Sequence, residues 1–325
     1  MKNPRRSLLV SLLGAGFLIC PLSSWATPES DFTADAQADY QSLTNYINGR
    51  FAGSMGFFTS LGWNTPTQVF DLVSGPRAEV GVGVGADLMG LPDLNSVGLN
   101  AIHLSSNLSI PAVVPAPFPV LTGKVGLLNG LDLGVKFNYL PQVNLPELGF
   151  AADFFGWGLD LRYKLVEGAT APTVTVGVSF DDMAGNLSIG TPINQSGNYV
   201  DSNTSMNYNV NFTGNNTYAL HWETKSFGAQ VQVGKDLGVA YPFAAIGFQR
   251  NSGTITSTMT GTGTLTVSPG SPTPINVSAA NSAQPNLFEP KYVVGLDFGM
   301  GLHWAIVGES NGTDLAFSTS FRVQL

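Results

Sequence analysis

The chain has little of what soluble chemistry and crosslinking need. It holds one cysteine, Cys20, and three histidines, His103, His221 and His303, in 325 residues. Cys20 lies within the apolar stretch Leu8 to Leu22, which follows Lys2, Arg5 and Arg6 and precedes Ser24-Trp25-Ala26. This is the layout of a cleavable secretion signal over residues 1–26. Ile19 is too large for the box that precedes a lipidated cysteine, so the mature chain is expected to carry no thiol, disulfide or lipid anchor. There is no HExxH, no GxSxG and no set of cysteine ligands, so the sequence calls for no metal, no cofactor and no catalytic residue.

Charge is scarce as well, at 11% of residues. Removing residues 1–26 takes away three basic residues and no acidic ones, leaving 11 basic against 22 acidic. A net acidic chain is a poor partner for nucleic acid. Beyond the signal no run of 18 apolar residues occurs, so no helix is expected to hold the protein in the inner membrane after Sec-dependent export.

What the chain does have is alternation. From Ala78 to Leu88 one face reads Ala78, Val80, Val82, Val84, Ala86 and Leu88, and the other Glu79, Gly81, Gly83, Gly85 and Asp87. A period of two marks a strand between two different environments. The same pattern recurs in about ten segments, near 76–88, 119–127, 131–140, 154–166, 172–181, 217–234, 239–250, 290–298, 302–308 and 313–325. Their lengths suit bilayer-crossing strands, which need about 9 to 11 residues. The expected fold is therefore all-β: an antiparallel transmembrane β-barrel of about ten strands, eight to twelve being the range, in the outer membrane of a Gram-negative cell. The scarcity of charge and the 38 glycines agree with a lipid-facing sheet around a tightly packed lumen.

The connections sort into two classes. Those at 128–130, 167–171, 235–238 and 299–301 are short; those at 89–118, 141–153, 182–216 and 251–289 are long, and until the brief Asn311-Gly312 turn the two kinds alternate as periplasmic turns and extracellular loops do. This predicts both termini in the periplasm. Residues 251–288 carry no charge and place threonine at 254, 256, 258, 260, 262, 264 and 266, which predicts an extended hairpin above the membrane, or a recognition face. Met206, Tyr208, Val210 and Phe212 alternate with asparagines; if that pair enters the bilayer the count becomes twelve.

Ahead of the barrel (76–325), residues 27–75 are expected to form a helical plug or a periplasmic segment. Tyr40, Leu43, Ile47 and Phe51 recur at helical spacing within 33–51. Phe57, Phe58, Trp63 and the Asn64-Thr65-Pro66 turn follow without a clear period and complete the expected plug.

On the lipid face the alternation places Leu131, Leu133, Val135, Phe137 and Tyr139; Trp157, Leu159, Leu161 and Tyr163; Val174, Val176, Val178 and Phe180; and Leu315, Phe317, Phe321, Val323 and Leu325. Tyr139, Trp157, Tyr163, Trp222 and Trp304 suit the interfacial girdles. The lumen is expected to be lined by Glu79, Asp87, Asp132, Lys136, Asp160, Arg162, Lys164, Gln230, Gln232, Lys291, Asp297 and Arg322, because a charge at membrane depth must turn inward and find a partner. The expected network sets Asp132, Asp160 and Asp297 against Lys136, Arg162 and Arg322. Ten strands leave little room, since eight are just filled by side chains. His221 and Glu223 share one strand face near its outer end, where a surface protease would keep acid and base groups. Asp181-Asp182 with Asn186 reads as an acidic turn, with loose Ca²⁺ binding or plain turn chemistry as its uses.

The stretches GLDLGVKFNYLP (130–141), WGLDLRYKLVEGATAPTVTVGVSF (157–180) and GKDLGVAYPFAAIGF (234–248), with Gly-Trp-Asn-Thr at 62–65, resemble a family of uncharacterised bacterial outer-membrane barrel proteins. The resemblance covers most of the mature chain and implies an N-terminal amphipathic helix, the outer membrane as location, and no assigned substrate. Such barrels end in Phe, which the assembly machinery reads; here Leu325 stands in that place, with Phe321 in phase.

These observations together predict a monomer surrounded by outer-membrane lipid and lipopolysaccharide, serving structure or small-solute passage. Alternatives are uptake of a hydrophobic compound past an N-terminal plug, adhesion through Ser/Thr/Asn-rich loops and, last, an omptin-like enzyme.

Overall fold

A computed structural model describes residues 27–63, 70–71, 75–76, 78–90, 97, 99, 101, 113–127, 130–166, 171–201, 204–300 and 302–325. The secretion signal, Cys20, Asn64-Thr65-Pro66 and His103 lie outside the described residues, as does much of the expected 89–118 loop.

One helix, α1 (Pro28–Thr59), is followed by a two-residue pair, β1 (Phe70–Asp71) with β2 (Gly75–Pro76). The remaining strands are β3 (Ala78–Gly90), β4 (Val113–Gly126), β5 (Leu131–Leu145), β6 (Phe150–Val166), β7 (Thr173–Val200), β8 (Asn207–Gly234), β9 (Ala240–Ser268), β10 (Thr273–Ala283), β11 (Phe288–Met300), β12 (Leu302–Ser310) and β13 (Leu315–Gln324). Each pairs antiparallel with its neighbours in one eleven-stranded sheet. The sheet closes where β13 meets β3, with Val323 opposite Val80 and Leu315 opposite Leu88, and where β8 meets β9.

Ten of the eleven strands make the ring. Along one edge β9 pairs with β8 from Phe243 to Ser268; along the other it pairs with β11 from Ala240 to Arg250 and then with β10 from Ile255 to Leu265. β10 thus rides above the ring as part of a hairpin. Closure leaves the barrel without an open edge, which a sheet in lipid requires.

The alternation appears as two surfaces. Val80, Val82 and Val84 are about half exposed on the outside of β3, while Glu79 and Asp87 are buried on its inside. Phe137, Tyr139, Leu159, Val231, Ile246, Phe317 and Phe321 continue the same outer belt. Tyr139, Trp157, Tyr163 and Trp304 stand exposed on it, as the girdle requires, but Trp222 does not. It is buried inside, because on β8 the inward phase runs Leu220, Trp222, Thr224 and the outward one His221, Glu223, Lys225.

The long connections are mostly strand. β7, β8 and β9 hold 28, 28 and 29 residues, where a bilayer crossing uses about 9 to 11, so more than half of each stands clear of the belt. The segments expected as loops at 141–153, 182–216 and 251–289 are largely continuations of β5 to β9 plus β10. Met206 to Phe212 add no further crossing, since β8 begins there and runs on into the barrel. Asp181-Asp182 is no turn: both residues lie within β7.

Polarity inverts along these strands. On β8 the outward face is Asn209, Asn211, Thr213, Asn215 and Thr217, then Phe227, Val231 and Val233; the inward face is Val210, Phe212, Leu220 and Trp222, then Thr224, Ser226 and Gln232. Within the belt the barrel is apolar outside and polar inside. Above it the sheet is polar outside and apolar inside, as in a water-soluble protein, and this apolar interior receives α1.

Candidate functional site

The helix starts at the far end of the long hairpins. Thr27 caps it, its hydroxyl accepting from the Ser30 N–H at 3.3 Å, with Pro28 in the first turn and Glu29 and Asp31 at the positive end of the dipole. With 32 residues α1 is about 48 Å long, enough to run from the hairpin tips into the barrel. Near the tips Phe32, Ala36 and Tyr40 pack on Tyr199, Val210, Phe212, Leu265 and Val267. The Tyr199 hydroxyl donates to Asp35 at 2.6 Å, and the Tyr40 hydroxyl to Asn216. Deeper, Met55, Phe57, Phe58 and Leu61 fill a cluster with Phe118, Phe154, Met183, Leu220, Trp222 and Ile255.

The expected plug stripe is thereby corrected in part. Tyr40, Leu43, Phe57, Phe58 and Trp63 are buried, whereas Ile47 and Phe51 are only half-buried. Asn48 takes the buried centre of the helix, its amide donating to the Ile255 carbonyl at 3.4 Å. The termini are corrected too. Residue 27 lies at the long-hairpin end, while Leu325 exchanges hydrogen bonds with Ala78 at the short-turn end. Residues 27–63 descend through the barrel instead of standing below it.

The helix ends among the barrel's charges. Its last turn has no basic residue, and its free carbonyls are met by two lysines of the wall. Lys136 Nζ donates to the Thr59 carbonyl at 3.2 Å, to the Leu61 carbonyl at 2.5 Å, and pairs with Asp181 Oδ1 at 2.9 Å. All three ammonium donors are used, two of them on the plug. Lys291 donates to the Ser60 carbonyl at 2.8 Å and pairs with Glu309 at 3.2 Å, whose other oxygen accepts from the Gly62 N–H at 3.3 Å.

Trp63 is the tip. Its indole N–H donates to Asp181 Oδ1 at 2.6 Å, the Lys136 ammonium sits 5.2 Å from its ring centroid, and Arg162 donates to its carbonyl. Two wall glycines leave room for the indole. A Cβ at Gly158 would come within 2.9 Å of Trp63 Cζ2, and one at Gly134 within 3.2 Å of Cζ3. The void left beside Ser60, Trp63, Gln249 and Lys291 is about 10 Å³, room for about one water. The larger hollow, about 420 Å³, is on the other side of the wall, among the lipid-facing Leu161, Val176, Val231 and Phe248.

Below the tip a second network runs across β11, β12, β13 and β3. Arg322 pairs with Asp297 at 2.5 Å and Glu79 at 3.0 Å, and His303 Nδ1 lies 3.1 Å from Asp297. Arg162 pairs with Asp160 at 2.6 Å and reaches Gln232 at 3.3 Å. Of the residues expected to line the lumen, Glu79, Asp87, Asp132, Lys136, Asp160, Arg162, Gln232, Lys291, Asp297 and Arg322 are buried, while Lys164 and Gln230 are half-buried. Two of the expected pairings form, Asp160 with Arg162 and Asp297 with Arg322. Lys136 pairs with Asp181 instead, and Asp132 accepts no hydrogen bond among the described residues, facing the charges of Lys124, Lys164 and Arg162.

Asp181, Glu309 and Lys124 belong to this site and were missed. Each lies in phase with inward residues: Thr175, Gly177 and Ser179 precede Asp181, and His303, Ala305 and Val307 precede Glu309. Asp181 and Lys124 already stand inside the expected strands 172–181 and 119–127, and extending the phase one residue past 302–308 would have found Glu309.

His221 and Glu223 lie 3.6 Å apart, both exposed on the outer face of β8, with Asn186 at 2.9 Å from the imidazole. Among the described residues no group of three or more His, Cys, Asp or Glu is placed to hold a metal ion.

The model of a family of unknown function, DUF6588, matches residues 22–308. No curated protein matches the chain. Among solved structures it is similar to the transport unit of the autotransporter AIDA-I from Escherichia coli, at 9% identity over 86% of this chain and 98% of that one, with TM-score 0.28. It is also similar to a Pseudomonas aeruginosa FadL homologue, at 9% identity over 86% and 97%, with TM-score 0.28. The translocator domain of autotransporter NalP from Neisseria meningitidis gives 8% identity over 88% and 99%, with TM-score 0.31. Likeness this slight says nothing of what the barrel carries.

Proposed function

We propose that this chain, which belongs to the family of unknown function DUF6588, is a monomeric outer-membrane barrel closed by its own N-terminal segment, and that small solutes pass only when the tip of that segment leaves the lumen. The apolar belt with its aromatic residues supports the membrane, and Sec-dependent export with delivery to the barrel assembly machinery belongs to the same reading. One observation carries it: the three backbone carbonyls of Thr59, Ser60 and Leu61 are held by Lys136 and Lys291, so the plug is tied by polar bonds that water can replace. Above this point the segment is held by apolar packing, so the polar bonds mark its lower end as the part that can let go. The reading assigns the barrel no enzymatic step.

A second reading rests on the apolar chamber above the tip. Phe118, Phe154, Leu220, Trp222 and Ile255 would be bared if Phe57 and Phe58 withdrew, and a hydrophobic compound would find a fitting vestibule there. Both readings need the plug to move.

Single-channel conductance in a planar bilayer tests them, comparing the full chain, the chain without residues 27–63, and the double variant Lys136→Gln, Lys291→Gln. Conductance steps that appear or lengthen in both altered proteins support a gate. Silence in all three, with heat-modifiable gel mobility showing folded barrels, would sink the passage reading and leave a structural protein.

A further inference from the structure

The outer face of the sheet above the belt is one surface spread over β7 to β10. In register, Thr213 stands beside Thr264, Asn215 beside Thr262 and Thr217 beside Thr260. Thr262 and Thr260 meet Asn276 and Ser278 of β10 on their other side. Neighbouring strands are about 4.8 Å apart and same-face residues about 6.7 Å apart along a strand, so hydroxyls and amides form a regular two-dimensional array. Of the charged residues between 183 and 222 there is only Asp201, which is buried, and between 251 and 288 there is none. An ordinary solvated face carries about 25–35% charged residues. This one offers donors and acceptors with no net charge, which suits a neutral polyhydroxylated chain.

Charge returns where the array meets the belt. Arg250 pairs in register with the lipid-facing Phe227 on one side and with Phe288 on the other, its guanidinium 6.0 Å from the Phe288 ring. Lys225 is its diagonal neighbour, about 7–8 Å away by sheet geometry, exposed, and 3.6 Å from Asp182. Two further acids stand on this face: Glu223 lies beside His221, and Asp153 accepts from the Asn186 amide at 3.0 Å. Two exposed cations thus stand at the level of lipid headgroups, below a neutral polar wall and above an apolar belt.

We propose that this face docks a phosphorylated glycolipid of the lipopolysaccharide type, its acyl chains on the belt, a phosphate between Lys225 and Arg250, and its saccharide lying up the threonine array. The sequence of apolar, cationic and neutral polar zones matches the order of groups in such a molecule. This rests on the outer-membrane reading above. The phosphate would displace Asp182 from Lys225, and the Arg250 fork would bind it bidentately.

The test uses the full chain refolded in phosphatidylcholine nanodiscs and titrated with smooth lipopolysaccharide, with deep-rough lipopolysaccharide lacking most sugar, and with a dephosphorylated form. Inorganic phosphate serves as competitor. Smooth lipopolysaccharide is expected to bind about tenfold tighter than either truncated form. Lys225→Ser with Arg250→Ser should remove the preference for phosphate, and Thr258→Glu with Thr262→Glu the preference for sugar. Equal binding of the three lipids, or variants that match the natural chain, would overturn the inference. Full displacement by inorganic phosphate would overturn it too, by reducing the face to a simple anion site. A chain that does not enter the bilayer, seen as no heat-modifiable band, would take the outer-membrane reading down with it. An inserted chain without preference refutes only the docking.

Discussion

The indole N–H of Trp63 and the carboxylate of Asp181 meet at 2.6 Å, and the same carboxylate oxygen pairs with Lys136 at 2.9 Å. One oxygen therefore joins the plug to the wall and neutralises the cation that holds the plug's carbonyls. Closing the lumen and stabilising the barrel are the same set of contacts, so the plug cannot be loosened without a cost to the fold.

That coupling separates two substitutions. Asp181→Asn leaves Lys136 buried without a counter-charge and is expected to cost about 3–5 kcal/mol. Trp63→Phe removes one hydrogen bond and keeps most of the packing, at about 1–2 kcal/mol. Gel-shift melting of the folded band orders them, with Asp181→Asn the less stable. The reverse order would mean that Trp63 holds the lumen by packing and that the ion pair is incidental.

A tether should lock the gate. A Cβ built at Gly62 would lie 3.7 Å from Val120 Cβ, inside the usual disulfide range of about 3.5–4.5 Å. The backbone at Gly62 has φ of 92°, so a cysteine there costs about 1–2 kcal/mol, which the crosslink offsets. Oxidised Gly62→Cys, Val120→Cys protein is expected to show no conductance even with Lys291→Gln present, and to regain it under reductant. Current through the oxidised form would mean that solute passes without moving the plug.

Much of the barrel was legible because its period of two is imposed by two solvents: all ten ring strands lie where the alternation puts them. What the alternation hid was the change of solvent along a strand. At Trp222 the rule that apolar residues face out stops applying, since above the belt water is outside and α1 inside, so Trp222 reads as girdle yet packs against the plug. Asp181 was hidden for a related reason, because an acid pair reads as a turn until the strand is continued past it. The plug was legible as a helix at Tyr40 and Leu43, but nothing in the sequence tells that Asn48 should take the buried centre, since its place is set by the Ile255 carbonyl across the sheet.

Docking of the upper helix depends on a missing side chain. At Gly261 an added Cβ would fall 2.1 Å from the Tyr40 hydroxyl, so Gly261→Ala must push the tyrosine off Asn216. Overpacking of this kind costs about 1–3 kcal/mol. Arg50 is the one basic residue between Thr27 and Pro76, which makes trypsin cleavage after it a direct readout of undocking. Gly261→Ala is expected to speed that cleavage several-fold with the barrel still folded; Gly197→Ala, in β7 with open space around it, serves as the control for substitution itself. Equal cleavage would show that Tyr40 has no part in holding the helix.

Finally, the position of Thr27 constrains how the protein is built. α1 begins beside the β9–β10 tip, where a Cβ at Gly270 would lie 3.1 Å from Glu29, and carries the chain down into the lumen as far as Trp63, while β3 begins at the opposite end. Closure of β13 on β3 then has to occur around a chain already inside, or the helix has to be drawn through afterwards. The arrangement predicts that Ala34→Cys and Ser271→Cys react alike with a membrane-impermeant maleimide on intact cells, and that Leu237→Cys, in a short turn, reacts only after lysis. Should Ala34→Cys instead follow Leu237→Cys, the helix would enter from the short-turn end, and a plug threaded through the whole barrel would give way to one that merely closes its lower mouth.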